Sequence, residues 1–184
     1  MPIVSTNIRL RHPEHFVVGE HSIVDDFCYF STRVRIGDFA HIASGCTVAG
    51  GAARLFALGS YSSVSSGARI WCTSDDFARD VVTIVPDWLE EEEHSVKEHV
   101  ISGDVILEDC TAVGSNAVVM PRNHVPEGTV IGALTYVPPD FPFEPWSVYA
   151  GIPARRVGAR DRDRVRRQVD TIRARLARLA VERA

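Results

Sequence analysis

The sequence predicts an all-β coil of stacked, flat-sided turns. Three observations carry that reading: a six-residue apolar period, a mostly small residue four places after each apolar one, and two phase breaks at the same point of the turn. From Val100 to Pro153 the period is sustained, with Ile101, Leu107, Val113, Val119, Val125, Ile131 and Val137 one hexad apart. Val105, Thr111, Ala117, Asn123, Thr129 and Thr135 hold the companion positions. A period of six is neither the 3.6 of a helix nor the two of a plain strand. It marks an internal repeat. Each hexad supplies a short strand and a corner, the aliphatic residue facing inward and the small one fitting beside it. Three hexads close a triangular turn, and stacked turns bury the apolar surface that one turn cannot.

Residues 1–17 read as a lead-in, with Ile8 and Leu10 able to form a covering strand. The repeats begin at Val18 and continue through Val24, Phe30, Ile36, Ile42 and Val48, with Ser22, Cys28, Val34, Ala40, Cys46 and Ala52 at the corners. Cys28 and Cys46 thereby read as packing residues rather than nucleophiles or ligands. The phase slips by four residues at Arg54 to Ala57, then resumes with Leu58, Val64 and Ile70 and corners Ser62, Ala68 and Ser74. A second break follows Asp75, one turn higher, so both excursions leave from one edge of the prism. The second, residues 76–99, carries Pro86, Trp88 and the acidic run Glu90 to Glu93. Long loops in compact domains are functional or disordered. The acidic run reads as a solvated face, whereas a loop tryptophan needs a neighbouring subunit or a ligand to pack on.

Pro138, Pro139, Pro142 and Pro145 end strand pairing. Residues 158–184 form a C-terminal appendage in which Arg160 to Ala184 reads as a helix. Val165, Val169, Ile172, Leu176 and Leu179 give it one apolar stripe, with Asp161 and Asp163 at its positive end. Its arginines flank a packing stripe rather than mark an RNA site. The chain of 184 residues is long enough for one domain with a substantial core, and its net charge of −4 argues against a general nucleic-acid binder. No segment approaches a membrane span and none resembles a signal peptide. Four scattered cysteines without metal-ligand spacing fit a reduced, cytoplasmic protein.

The hexads, with the terminal run Pro145-Trp-Ser-Val-Tyr-Ala-Gly-Ile-Pro-Ala-Arg155, resemble the hexapeptide-repeat acyltransferases. The stretch Ile36-Gly-Asp-Phe-Ala-His41-Ile-Ala-Ser-Gly, the Ser74-Asp-Asp76-Phe segment and the Val85-Pro86 loop look like the sugar acetyltransferases of surface-polysaccharide and O-antigen pathways. That resemblance covers Val18 to about Val157. It implies a left-handed parallel β-helix over 18–157, a homotrimer, and acetyl-CoA as acyl donor in a cleft between coils. It implies direct transfer to a hydroxyl or amine of a sugar or sugar nucleotide, with no metal. By the same resemblance the pantetheine arm meets backbone near Ser115 and Ala133, and Arg155, with Arg156 beside it, meets the CoA phosphates. Guanidinium suits that last task as a planar phosphate donor. Two departures from the family stand out. Val137-Pro138-Pro139 replaces a common Thr-Lys, and Cys110 stands where many relatives carry His.

Acyl transfer from a thioester needs a proton acceptor for the attacking group, donors for the developing oxyanion, and two substrates held together. Of seven histidines, His41 is the candidate base: it falls at an outward corner position and matches the subgroup's His-Ile-Ala motif. Maltose and galactoside acetyltransferases place the catalytic His at the opening of the long loop, where this chain has Asp75. Either His41 acts across the subunit cleft, or Asp75 acts, or positioning suffices. Asp75 or Asp76 can also orient His41 or the acceptor, and Trp88 is a second candidate acceptor contact. The plainer alternatives are a backbone-bonded corner histidine and an Asx turn at the start of the loop.

Two other functions compete. The same coil builds a carbonic anhydrase whose metal is held by three histidines, and His94 and His99 have a suitable separation for two of them. They lie in the excursion rather than on hexads, and no upstream third histidine completes the set. A non-catalytic scaffold is the other alternative, opposed by the intact Gly-Ile-Pro-Ala-Arg end.

Overall fold

The computed structural model describes residues 1–79 and 99–182. The chain winds as a parallel β-helix of about six turns. Strands β1 (Ile3–Val4), β2 (Arg9–Leu10) and β3 (Phe16–Val18) make the first turn. Next come β4 (Ile23–Val24) and β5 (Tyr29–Ile36), then β6 (His41–Ile42) and β7 (Thr47–Leu58). The fourth turn holds β8 (Ser63–Val64), β9 (Arg69–Trp71), a projecting ribbon of β10 (Thr73–Asp75) and β11 (Val100–Ser102), and β12 (Val105–Leu107). Strands β13 (Ala112–Val113), β14 (Val118–Val119) and β15 (Asn123–Val125) make the fifth, and β16 (Val130–Ile131) and β17 (Tyr136–Val137) the sixth. A closing hairpin, β18 (Ser147–Ala150) with β19 (Arg155–Ala159), leads into helix α1 (Arg162–Glu182).

Like positions stack on like. The first face is the parallel ladder β1-β4-β6-β8-β13-β16-β18. Leu10, Phe30, Val48, Ile70, Val119 and Val137 lie in register on the second, and Val18, Ile36, Leu58, Leu107 and Val125 on the third. The stacked apolar residues from Val24 to Val137 are at most 2% exposed and form one continuous core. Buried corner hydroxyls are satisfied by backbone. Ser22 Oγ donates to Gly37 O at 2.6 Å and accepts from Ala40 N at 2.9 Å, and Ser62 Oγ accepts from Thr111 N at 2.9 Å. These bonds join successive turns while meeting the need that burial imposes on a hydroxyl.

The structure moves several sequence expectations. Parallel pairing starts at Ile3, so residues 3–17 already form a turn ahead of Val18. The four-residue slip lies earlier than Arg54 to Ala57. Thr32 pairs with Gly51 and Arg33 with Leu55, which pushes Ala52 and Ala53 out as an exposed bulge. Phe56 therefore takes the corner expected of Ala52 and stacks between Val34 and Val105. Ile101 and Ser74 are not coil positions; they pair with each other across the antiparallel ribbon. The two excursions do share an edge. Arg54 Nε donates to Ser102 Oγ at 2.8 Å, and Leu55 N to Asp104 Oδ1 at 2.9 Å.

The proline run leaves no strand on the third face of the sixth turn, yet the hexad phase persists through Phe143 to Tyr149. Phe141, Phe143 and Tyr149 meet edge to face at 4.8–5.4 Å and close that end of the core. Helix α1 starts with Asp161 Oδ1 accepting from Arg164 N at 2.9 Å, an N-terminal cap. It lies along the edge between the third and first faces. There Arg162 and Arg166 sit 5.8 and 5.7 Å from the Trp146 ring, and Arg173 sits 5.4 Å from Tyr61. Gly128 has φ +73° and no room for a side chain, since a Cβ would stand 2.3 Å from Trp146. The apolar stripe is only partly covered: Ile172 is 38% and Leu179 47% exposed.

Phe56→Ala should cost about 3–5 kcal/mol in urea unfolding, because the corner cavity is fixed by rigid neighbours above and below. Ala53→Ser in the bulge should stay within about 0.5 kcal/mol. Equal losses at both positions would contradict the placement of the bulge.

Candidate active site

Candidate residues gather at three places around the prism. Ser115 and Ala133 occupy consecutive turns of the edge between the first and second faces, where Leu134 N donates to Ser115 O at 2.9 Å. The turn of the closing hairpin extends the same edge. Tyr136 N donates to Gly151 O at 3.0 Å, and Ala154 N to Tyr136 O at 2.8 Å. Arg155 pairs with Ala150 in that hairpin, and Arg156 with Tyr149. The structure thus brings Ser115, Ala133, Arg155 and Arg156 to one end of one edge. The two arginines differ. Arg156 Nε donates to Ser147 Oγ at 3.0 Å and lies 3.4 Å from Glu144. Arg155 is exposed and has no ion pair among the described residues.

Asp75 lies on the opposite edge, at the end of β10. It lines a cleft of about 380 Å³ with Trp71, Thr73, Ser74 and Phe77. The ribbon holds it because Thr73 Oγ1 reaches Gly50 O at 3.1 Å and Ser102 Oγ at 2.9 Å, tying β10 to the bulge and to β11. Asp76 makes a local turn: its Oδ1 accepts from Ala78 N at 3.3 Å, and its Oδ2 lies 3.3 Å from Arg79 Nε. That is the Asx-type bond the sequence allowed. Trp88 and His94 lie outside the described residues.

His41 is elsewhere again. It projects from β6 on the first face, half exposed, with Nε2 2.9 Å from Asp25 Oδ2. It faces a cavity of about 410 Å³ between the coil and α1, walled by His21, Phe39, Tyr61, Gln168 and Ile172 among others. Within one chain His41 and Asp75 therefore line separate cavities. Sequence reasoning missed Asp25 as the partner of His41; it stands two places beyond Ile23, the residue in register with His41 on the neighbouring turn. It also missed Trp71 and Phe77 beside Asp75. Trp71 directly follows an inward hexad residue and precedes the phase break, a place where an outward aromatic is a usable signal.

Among the described residues no group of three or more His, Cys, Asp or Glu is placed to hold a metal ion. All four cysteines are free and buried. Burial pushes the Cys72 thiol up to about 12 and also raises that of Cys110. The Cys72 thiol is therefore neutral throughout the neutral range and offers no thiolate nucleophile, and the shift at Cys110 runs in the same direction.

No protein-family profile matches the chain. It is 27% identical over 154 residues to dTDP-4-amino-4,6-dideoxy-D-glucose acyltransferase of Escherichia coli, covering 81% of this chain and 74% of that protein. It is also 27% identical over 149 residues to chloramphenicol acetyltransferase of Agrobacterium fabrum, covering 78% and 70%. Among solved structures it superposes on AntD, an N-acyltransferase from Bacillus cereus in complex with dTDP and 3-hydroxybutyryl-CoA. The TM-score is 0.80, identity 24%, and coverage 94% of this chain and 87% of that one. At that identity the superposition establishes the shared fold.

At pH 8, iodoacetamide should leave Cys72 unlabelled in the native protein and label it in urea, read by peptide mass mapping. Labelling of native Cys72 at that pH would contradict its burial and its raised pKa.

Proposed function

We propose that this protein is an acyl-CoA-dependent acyltransferase that moves an acetyl group onto the amine of a nucleotide-linked sugar, at a site shared by two copies of the chain. One observation carries the reading: the Ser115–Ala133–Arg155 row and the Asp75 cleft lie on different edges of one prism. One coil cannot bring them to one substrate, whereas two coils side by side present one edge each. Pairing of unlike edges is a heterologous contact that closes into a ring when its rotation allows, and a coil of triangular section suits a ring of three copies, a homotrimer. The two curated relatives, an amino-sugar acyltransferase and an acetyltransferase, point to the same chemistry.

In this reading acyl-CoA lies along the Ser115–Ala133 edge, its arm bonded to corner backbone and its phosphates met by Arg155. Arg156, committed to Glu144 and Ser147, braces the hairpin beside it. The acceptor amine lies at Asp75. Its nitrogen attacks the thioester carbonyl, the Asp75 carboxylate takes the proton released as the C–N bond forms, and the C–S bond breaks. The CoA thiolate leaves and recovers that proton. An amine needs a weaker base than a sugar hydroxyl, because the neutral amine is nucleophilic enough to attack unaided and its N–H becomes acidic as the C–N bond forms. A carboxylate at the root of the loop therefore suffices where a hydroxyl acceptor favours histidine. His41, bound to Asp25 under the helix of its own chain, is assigned no proton transfer.

Acetyl-CoA and desulfo-CoA should raise the melting temperature, corresponding to about 2.7 kcal/mol of added stability at a hundredfold excess over Kd. Asp75→Asn should lower kcat roughly a hundredfold without weakening CoA binding, while His41→Ala keeps kcat within a few-fold. Loss of activity at His41 with Asp75→Asn unaffected would reverse the assignment. Sedimentation should give three times the 20.3 kDa chain mass.

A further inference from the structure

The described lining of the Asp75 cleft is rich in aromatic surface. Two of its walls are aromatic: Trp71, half buried on β9, and Phe77, 71% exposed just beyond the ribbon. Its two hydroxyls are already engaged. Thr73 Oγ1 bonds to Gly50 O and Ser102 Oγ, and Ser74 Oγ donates to Asp75 O at 3.3 Å. Among the described residues Asp75 supplies the one ionisable side chain of the lining. Among the described residues a sugar placed here meets one carboxylate and two ring faces, with little to satisfy additional hydroxyls.

Resting on the acyl-transfer reading above, we infer that Trp71 and Phe77 form an aromatic clamp selecting a deoxygenated amino sugar, its amine at Asp75 and its C–H faces against the rings. The physics is a difference of costs. Aromatic faces attract apolar C–H surface, and a pyranose that has lost a hydroxyl presents more of it. A retained hydroxyl buried between the rings loses water and finds no partner, which penalises the fully hydroxylated sugar. The amine differs from the hydroxyls because the carboxylate is its partner. Phe77 and Trp71 thus set acceptor choice, while the CoA edge is untouched by either.

The test uses the full chain, acetyl-CoA and two probes: dTDP-4-amino-4,6-dideoxyglucose, and dTDP-4-amino-4-deoxyglucose, which restores the 6-hydroxyl. The first should have the higher kcat/KM by roughly tenfold or more. Phe77→Ala should raise its KM about tenfold, narrow the preference, and leave kcat and the KM for acetyl-CoA within about twofold. Phe77→Tyr should restore the KM. The acceptor alone should quench tryptophan fluorescence, and Trp71→Phe should abolish that quenching. Equal kcat/KM for the two probes, a Phe77→Ala effect on acetyl-CoA instead, or quenching that survives Trp71→Phe would overturn the clamp. If neither probe binds while CoA still raises the melting temperature, the clamp is wrong and the CoA reading stands. Absence of any CoA shift removes both.

Discussion

Everything in this fold depends on the backbone at the fourth residue of most hexads. There the chain adopts φ between +53° and +74°, at His21, Phe27, Phe39, Gly45, Tyr61, Gly67, Cys110, Asn116, Gly128 and Leu134 among others. That left-handed step turns one flat side into the next. It costs roughly 1–2 kcal/mol wherever the residue carries a side chain. The next residue offsets it by entering the core or bonding to backbone. The outward projection of these fourth residues also builds the ring column His21–Phe39–Tyr61, with centroids 4.7 and 5.3 Å apart, on which α1 rests.

The coil itself was legible, because a hexad sustained over many turns has no other physical reading. Its interruptions were legible in number but not in place. Ile101 kept the hexad phase while sitting in a two-stranded ribbon: six is a multiple of the strand period, so one residue cannot tell coil from ribbon. The bulge was misplaced because Ala52 is small enough to read as a corner, and only the pairing of Arg33 with Leu55 reveals Phe56 as its occupant. A second pattern lay unread. Gly45, Gly51, Gly67, Asn116, Gly128 and Asp140 share the fourth position, the residue types that tolerate left-handed backbone, and would have fixed the phase on both sides of the breaks.

The sequence offered candidate site residues by type, and their relative placement was opaque to it. Ser115 and Ala133 fall together because they sit at equivalent points of stacked turns, which arithmetic on the hexads can supply, whereas Arg155 and Arg156 come from the antiparallel closing hairpin, which the hexads do not reach. Asp75 and His41 separate because one stands on the ribbon that leaves the coil after the second face and the other at the start of the first face, a distinction invisible until faces are assigned. The walls around Asp75 follow from the ribbon, which has no repeat to announce it. A rigid coil thus fixes distances, and in the proposed reading its irregular insertion carries the reacting group, the usual division between scaffold and loop.

Because every turn repeats the one before, length along the axis comes in steps of ~4.8 Å. A whole turn can be added or removed without disturbing the phase of any side, whereas one residue more or less rotates everything beyond it out of register. The distance from the ribbon to the Arg155 hairpin is therefore quantised. The coil is a ruler graduated in turns, and an adjustment of ligand reach between two graduations has to come from side-chain length or from the insertion, never from the scaffold.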